Sequence, residues 1–331
     1  MHGSGWRRRR AGRGFAYYDE DGVRISDDRA DRIRALAIPP AWADVWICPW
    51  PHGHIQATGV DAAGRRQYRY HDQWRTRRDA AKHERVLEIA HQLPDVRDRV
   101  LSALRTRGPN RERVLACAIR LLDLGAFRVG SDQYAAENHT YGLATLRREH
   151  IEVRGERTSF RYIAKGGIER EIEVTDRPTA TVLRQLLDRP VDAGDDALAY
   201  QLPDGSWHDV TSTDINGYLK EISGAGAPAI TAKDFRTWTA TVLMAARLAE
   251  APPPRSRTAR TKVIRGAYVA VSEQLGNTPA VCRASYVDPR IVDHFEHGET
   301  IVGALDQVAE AGNDRDAQRL LEQAVCQLLH S

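Results

Sequence analysis

The chain has 331 residues, 42% of them hydrophobic and 28% charged, with a formal net charge of +3, which fits a globular protein with room for two domains. No apolar run approaches the ~20 residues needed to cross a bilayer, and the start, Met-His-Gly-Ser-Gly-Trp followed by four arginines, lacks the apolar segment of a secretory signal. Four scattered cysteines (Cys48, Cys117, Cys282, Cys326), mostly flanked by apolar residues, fit reduced, buried thiols of a cytoplasmic protein rather than a disulfide framework.

The first stretch reads as β-rich. Arg7–Arg10 is a low-complexity basic arm, and Gly14–Ile25 forms a hairpin around Asp21-Gly22. A short amphipathic helix over Asp28–Leu36 is stopped by Pro39-Pro40. Val45–Cys48 and His54–Gly59 read as strands, Asp61–Gly64 as a turn, and Gln67–Tyr70 as a strand. That strand carries Tyr68 and Tyr70 on one face and Gln67 and Arg69 on the other. From about residue 79 the pattern turns helical, with helices expected at 79–93, 95–106, 110–124 and 131–138.

A three-stranded β insert follows at His150–Arg154, Thr158–Ala164 and Glu169–Val174, its second turn being Lys165-Gly166-Gly167. Helices resume at 178–188 and 212–222. Thr231 and Asp234 signal a capping box for a helix reaching about 249, with Phe235, Trp238, Val242 and Ala245 on its apolar face. Pro252–Pro254 break the chain before a helix at 260–275. Gly276 ends that helix, Thr278-Pro279 opens the next, and two more are expected near 300–311 and 314–329. The expected fold is α+β, with a β-rich N-terminal domain at 1–78 and a mainly helical domain at 79–331 that carries the antiparallel insert.

Charge is unevenly spread. Residues 287–331 hold nine acids and three bases, a local balance of −6; set against +3 for the whole chain, this leaves +9 on the first 286 residues. Basic clusters at Arg7–Arg13, Arg65–Arg78, Arg105–Arg113 and Arg255–Arg265 favour a polyanionic partner.

The chemistry-bearing residues fit phosphodiester cleavage. A tyrosine nucleophile must lose its proton as it attacks, since an unperturbed phenol titrates near 10. Charge then grows on the equatorial oxygens of the phosphorane, where fixed guanidinium groups are the natural counter-charge. The leaving alkoxide needs a proton donor, which a lysine can supply. Tyr286 lies about two turns past Asn277, whose amide can donate to a phosphate oxygen. Arg128 follows a helix end beside glycine, Arg236 lies in the first turns of the helix capped by Thr231, and Lys165 tips a hairpin on Gly166-Gly167. Each residue also has a structural reading, as a surface ion pair, a solubilising lysine, a helix cap or a half-buried tyrosine.

Together these residues resemble the small type IB DNA topoisomerases of the bacterial and poxvirus kind. The resemblance runs from about residue 14 to 297. It is carried by Arg32–Trp42, Val45–Pro49, Gly53–Ala57 and Gly64–His71, and by Phe127–Gly130, Glu137–Leu146, Phe160–Gly166, Ile230–Trp238 and Leu275–Tyr286. It implies Tyr286 as nucleophile, forming a 3′-phosphotyrosyl link, with Arg128 and Arg236 stabilising the transition state and Lys165 protonating the 5′-oxygen. Asn277 stands where many relatives have His, so its role there is hydrogen bonding without proton transfer.

The resemblance also implies DNA contact by Arg65, Arg66, Gln67, Tyr68, Arg69 and Tyr70 on the strand, and by Ser131, Tyr134 and Lys233. The implied partner is supercoiled double-stranded DNA, relaxed by a monomer in the cytoplasm at the nucleoid, without ATP, cofactor or obligatory metal. The sequence has no phosphate-binding Gly-Lys-Ser/Thr loop, and Cys48, His52 and His54 lack a fourth zinc ligand at a standard spacing. Two alternatives stay open: a tyrosine recombinase, which shares the Arg–Lys–Arg–Tyr logic but usually begins with a helical domain, and a non-catalytic DNA-binding relative.

Overall fold

The computed structural model describes residues 4–131, 135, 139–190, 194–224 and 228–331. The expected helix at 131–138 lies largely outside the described residues, as does Tyr134. The chain divides into two compact units, Met1–His83 and Glu84–Ser331.

The first unit is a six-stranded antiparallel sheet with one helix. Its strands are β1 (Trp6–Ala11), β2 (Gly14–Tyr18), β3 (Arg24–Ile25), β4 (Ala43–Ile47), β5 (Ile55–Val60) and β6 (Arg66–Tyr70), in the order β3-β2-β1-β4-β5-β6. Helix α1 (Asp28–Ala35) starts at an Asp27 cap and buries Ala30 and Ile33 with Trp6, Ile25, Val45, Ile47 and Ala57. The Asp21-Gly22 turn forms as expected, with Gly22 at φ 78° and Tyr17 and Tyr18 facing Ile25 and Arg24.

The expected basic arm is corrected here. Trp6–Ala11 is an interior strand, with Arg7 paired to Tyr18 on one side and to Trp46 on the other. Its arginines have partners on both faces. Arg8 donates to the Pro39 carbonyl at 3.1 Å and lies 4.1 Å from the centre of the Phe15 ring, while Arg9 lies 4.8 Å from that of Tyr18. A run of four like charges is held as a strand because the ladder satisfies its backbone and the guanidinium groups of Arg8 and Arg9 lie over aromatic rings.

The second unit is mainly helical. It contains the C-terminal part of α2 (Asp72–Ala90), followed by α3 (Leu93–Leu104) and α4 (Arg111–Gly125). The insert of β7 (Ile151–Arg154), β8 (Arg157–Ala164) and β9 (Ile168–Thr175) comes next, then α5 (Arg177–Leu187). A short hairpin of β10 (Ala199–Gln201) and β11 (Trp207–Asp209), absent from the sequence reading, leads to α6 (Ser212–Ile222) and α7 (Ala232–Glu250). The chain ends with α8 (Arg257–Leu275), α9 (Pro279–Ser285), α10 (Pro289–His297), α11 (Val302–Ala309) and α12 (Asp314–His330). Helix α2 begins at Asp72 rather than 79, because no apolar period marks its basic first turns.

Helix α4 is the centre of this unit. Val114, Leu115, Ala116, Cys117, Ala118, Ile119, Leu121 and Leu122 are all buried, so it is apolar on every side and packs against α3, α5, α6 and α7. The expected capping box opens α7: the Thr231 amide and hydroxyl donate to Asp234 at 2.8 and 2.7 Å, and Arg85 bonds the other carboxylate oxygen at 2.7 Å. None of the described helices is long and apolar enough to cross a membrane.

One buried ionic cluster ties α3, α4 and α12 together. Arg97 forks onto Asp123 at 2.9 and 2.8 Å and onto Glu322 at 2.7 and 2.8 Å. Removing one partner of a buried cluster leaves uncompensated charge. Arg97→Ala is expected to lower stability by about 3–5 kcal/mol in denaturant unfolding; a loss under about 1 kcal/mol would show that water reaches the two carboxylates. Deleting residues 1–11 removes the strand that joins β2–β3 to β4, so circular dichroism should show lost strand content and limited proteolysis should digest residues 12–83. An intact, protease-resistant first unit in that variant would mean that the segment is dispensable.

Candidate active site

The joint between α8 and α9 builds the site. Helix α8 ends in a left-handed Gly276 at φ 62°, whose amide donates to Glu273 while the Asn277 amide reaches back to Ser272 at 3.0 Å. Thr278 caps α9, Pro279 is its first residue, and Tyr286 closes it seven residues later with its amide on the Cys282 carbonyl at 3.0 Å. Two turns of helix therefore fix the spacing from Asn277 to Tyr286.

Four consecutive carbonyls at the end of α8 are taken by three arginines from three elements. Arg170 on β9 donates to Glu273 at 3.0 Å and to Gln274 at 2.8 Å. Arg236 on α7 donates to Leu275 at 2.8 Å, and Arg128, three residues past α4, donates to Gly276 at 3.2 Å. Arg236 also bonds the carbonyl of Ala126, the left-handed residue that ends α4. The backbone around Arg128 is clamped in turn: its carbonyl accepts from Leu143 at 2.8 Å and that of Val129 from Ala144 at 2.7 Å. Gly130 and Gly142 pack so closely that a Cβ on Gly142 would stand 2.5 Å from Gly130.

Tyr286 faces this cluster, with its ring centre 5.2 Å from the Arg236 guanidinium carbon. The Thr241 hydroxyl, on α7 like Arg236, accepts from the Asp288 amide at 3.1 Å and lies 3.4 Å from the Tyr286 carbonyl. One helix thus positions both the guanidinium and the main chain of the tyrosine. Burial pushes the Arg236 pKa down, Tyr286 pulls it back up, and Arg128 and Arg170 push it down again. Among the described residues no carboxylate pairs with Arg236, and its Nε has no partner. The Asn277 side chain is likewise unsatisfied, with both its nitrogen and its oxygen buried and without a hydrogen-bond partner.

Unpaired guanidinium charge beside an orphaned amide makes this a site for an anionic group. Cys282, one turn before Tyr286, is fully buried, and burial pushes its thiol up to about 11. Among the described residues no three His, Cys, Asp or Glu side chains are grouped to hold a metal.

Arg128, Arg236, Asn277 and Tyr286 are thus brought together. Lys165 is carried separately, at the exposed tip of the β8–β9 hairpin, where Gly166 and Gly167 both adopt positive φ. Arg170 belongs to the cluster and was not anticipated. Its sequence context, Ile-Glu-Arg-Glu-Ile, reads as a solvated strand face, and only the long-range bonds to α8 distinguish it.

The other candidates lie apart from one another along the chain. Lys233 is exposed one turn before Arg236, and Ser131 is exposed just past Gly130. On β6, an edge strand, Tyr68 and Tyr70 stack with centroids 6.0 Å apart, and Tyr70 stacks on Trp74 at 4.4 Å. Arg66 shares their face by strand alternation and is exposed. Gln67 and Arg65 bond the Asp61 carboxylate at 2.9 and 3.0 Å, and Arg69 bonds the Leu36 carbonyl at 2.7 Å. The Arg65 amide, its guanidinium and Gln67 hold the Asp61 pKa down to about 2.

Residues 71–303 match the family model described as eukaryotic DNA topoisomerase I, catalytic core, and residues 14–61 match the bacterial DNA topoisomerase IB N-terminal domain. The chain is 28% identical over 278 residues to DNA topoisomerase 1B of Acanthamoeba polyphaga mimivirus, covering 82% of this chain and 81% of that protein. It is 27% identical over 175 residues to DNA topoisomerase 1 of Schizosaccharomyces pombe, 53% of this chain and 20% of that protein. With DNA topoisomerase 1B of Vaccinia virus (strain Copenhagen) it shares 23% identity over 156 residues, 45% of this chain and 50% of that one. A match to the catalytic-core model across more than two thirds of its length, preceded by the matching N-terminal domain, shows that this chain belongs to the type IB DNA topoisomerases.

Proposed function

We propose that the protein relaxes supercoiled DNA by transient cleavage of one strand, with the Tyr286 hydroxyl as nucleophile. The observation that carries this reading is the placement of the Tyr286 ring 5.2 Å from the Arg236 guanidinium, beside Arg128 and the orphaned Asn277 amide.

The Tyr286 oxygen attacks phosphorus and loses its proton as the bond forms, giving a 3′-phosphotyrosyl link. The phosphorane gains charge on its non-bridging oxygens, and Arg128 and Arg236 neutralise it in a pocket where Arg236 is almost fully buried. Their present partners are uncharged carbonyls, so their full positive charge is available to phosphate. Asn277 supplies amide hydrogens to one of those oxygens. Lys165 gives a proton to the departing 5′-oxygen, and religation runs the same steps backward. The phosphotyrosyl bond conserves the energy of the broken linkage, so the cycle needs no nucleotide.

The remaining assignments belong to the same proposal. Arg65 and the β6 residues Arg66, Gln67, Tyr68, Arg69 and Tyr70 meet DNA, as do Ser131, Tyr134 and Lys233. Both domains expected from the sequence, 1–78 and 79–331, take part in binding the duplex while the cut strand swivels. One nucleophile and one nick suffice for a monomer, acting on the cytoplasmic nucleoid. A recombinase would require paired sites; relaxation of a plasmid without such sites separates the two readings.

Tyr286→Phe is expected to abolish the SDS-stable covalent complex and to slow plasmid relaxation by at least on the order of 10⁴-fold; relaxation at the wild-type rate would remove Tyr286 from the mechanism. Asn277→Ala removes one donor and is expected to slow single-turnover cleavage on the order of 10²-fold. Because an amide does not titrate, its pH–rate profile between about pH 6 and 8 should keep the wild-type shape; an inflection that vanishes in the variant would show proton transfer through this position.

A further inference from the structure

Lys165 must reach the leaving oxygen from the exposed tip of a hairpin. Lys165, Gly166, Gly167 and Ile168 are all exposed, and both glycines have positive φ. The tip is carried by the paired strands beneath it, so whatever holds those strands helps to place it. Strand β9 pairs with β8 through Ala164–Ile168 and Tyr162–Arg170, so Arg170 sits on the second rung below Ile168 on the same strand alternation.

Arg170 is also where the hairpin is fastened to the site. Its planar guanidinium reaches two successive carbonyls of α8, Glu273 at 3.0 Å and Gln274 at 2.8 Å, a geometry that a point-like ammonium cannot copy. Its side-chain shaft crosses Gly276, where a Cβ would stand 2.7 Å from Arg170 Cδ. Gly276 thus serves two ends: it turns the chain at φ 62° toward Asn277, and it leaves room for the arginine. Opposite Arg170, the buried Tyr162 ring packs 6.3 Å from Phe127, next to Arg128. The hairpin is braced on one side by the segment carrying Arg128 and on the other by the helix end preceding Asn277 and Tyr286.

We propose that Arg170 is a positioning residue: by fastening β9 to the last turn of α8, it places the Lys165 hairpin tip against the scissile phosphate. The proposal rests on the reading of Lys165 as the proton donor. It differs from a plain helix-capping role, because the damage from losing Arg170 is specific to protonation of the leaving group. A misplacement of about 1 Å in a reacting group costs on the order of 10²-fold.

The test uses the full-length protein and two single-turnover cleavage substrates that differ in one atom. One has the ordinary 5′-bridging oxygen and the other a 5′-bridging sulfur, which leaves as a thiolate without needing a proton because a thiol titrates near 8.5. Arg170→Ala is expected to cleave the oxygen substrate on the order of 10²-fold slower than wild type and the sulfur substrate within about tenfold of it. Arg170→Lys, which keeps the charge and loses the fork, should fall between. The ratio of the two rates within one preparation does not depend on the fraction of folded protein, so lost stability cannot imitate the result.

Lys165→Ala is measured alongside. If sulfur rescues Lys165→Ala but Arg170→Ala is slowed equally on both substrates, or on neither, Arg170 is not a positioning residue and the proton-donor reading stands. If sulfur fails to rescue Lys165→Ala, the proton-donor reading falls and the Arg170 proposal falls with it.

Discussion

The last turn of α8 presents carbonyl groups that no helix can satisfy from within, and the active-site region is organised around how they are satisfied. Arg128, Arg170 and Arg236 arrive from a loop, a strand and a helix and meet on residues 273–276. This end of the helix is also its electronegative pole, which favours cations even without a carboxylate. The interaction is strong enough to bring three remote segments into register and weak enough to leave their charge unneutralised. Asn277 and Tyr286 then follow on a chain whose direction is set by one glycine and one short capped helix.

At Arg97 and Arg85 the guanidinium charge is paired instead. Arg97 is enclosed by Asp123 and Glu322, and Arg85 is held by Asp234 at the start of α7. In those places the positive charge is cancelled and the purpose is cohesion between helices. At the α8 end, partners without charge preserve electrostatic potential at a cost in stability that the surrounding core has to offset. Burial alone does not separate the two uses, since Arg97 and Arg236 are both buried.

Local signals made much of this readable from the sequence. The Thr231–Asp234 box, the Lys165-Gly166-Gly167 turn and the Gly276 to Pro279 joint each declare themselves within a few residues, and the structure forms them where expected. What escaped was non-local. Arg7–Arg10 carries no alternation of polar and apolar residues, so nothing in the run announces a strand; it pairs with Phe15–Tyr18 in a hairpin, and its further partners Pro39 and Trp46 lie 31 and 39 positions away. Arg170 hides among the charged residues of β9 for the same reason, with its bonds reaching 103 and 104 residues along the chain. The β10–β11 hairpin, three residues per strand, is too short to show a period.

Cys282 adds a matter of chemical selectivity. A cysteine one turn from a tyrosine that forms a phosphoester is a rival nucleophile, able in principle to attack the same phosphorus or to be alkylated in its place. Full burial keeps it from substrate, and a thiol held near 11 is ionised in only about one molecule in 10⁴ at pH 7. The apolar packing that anchors α9 therefore also silences the softer nucleophile one turn from the harder one.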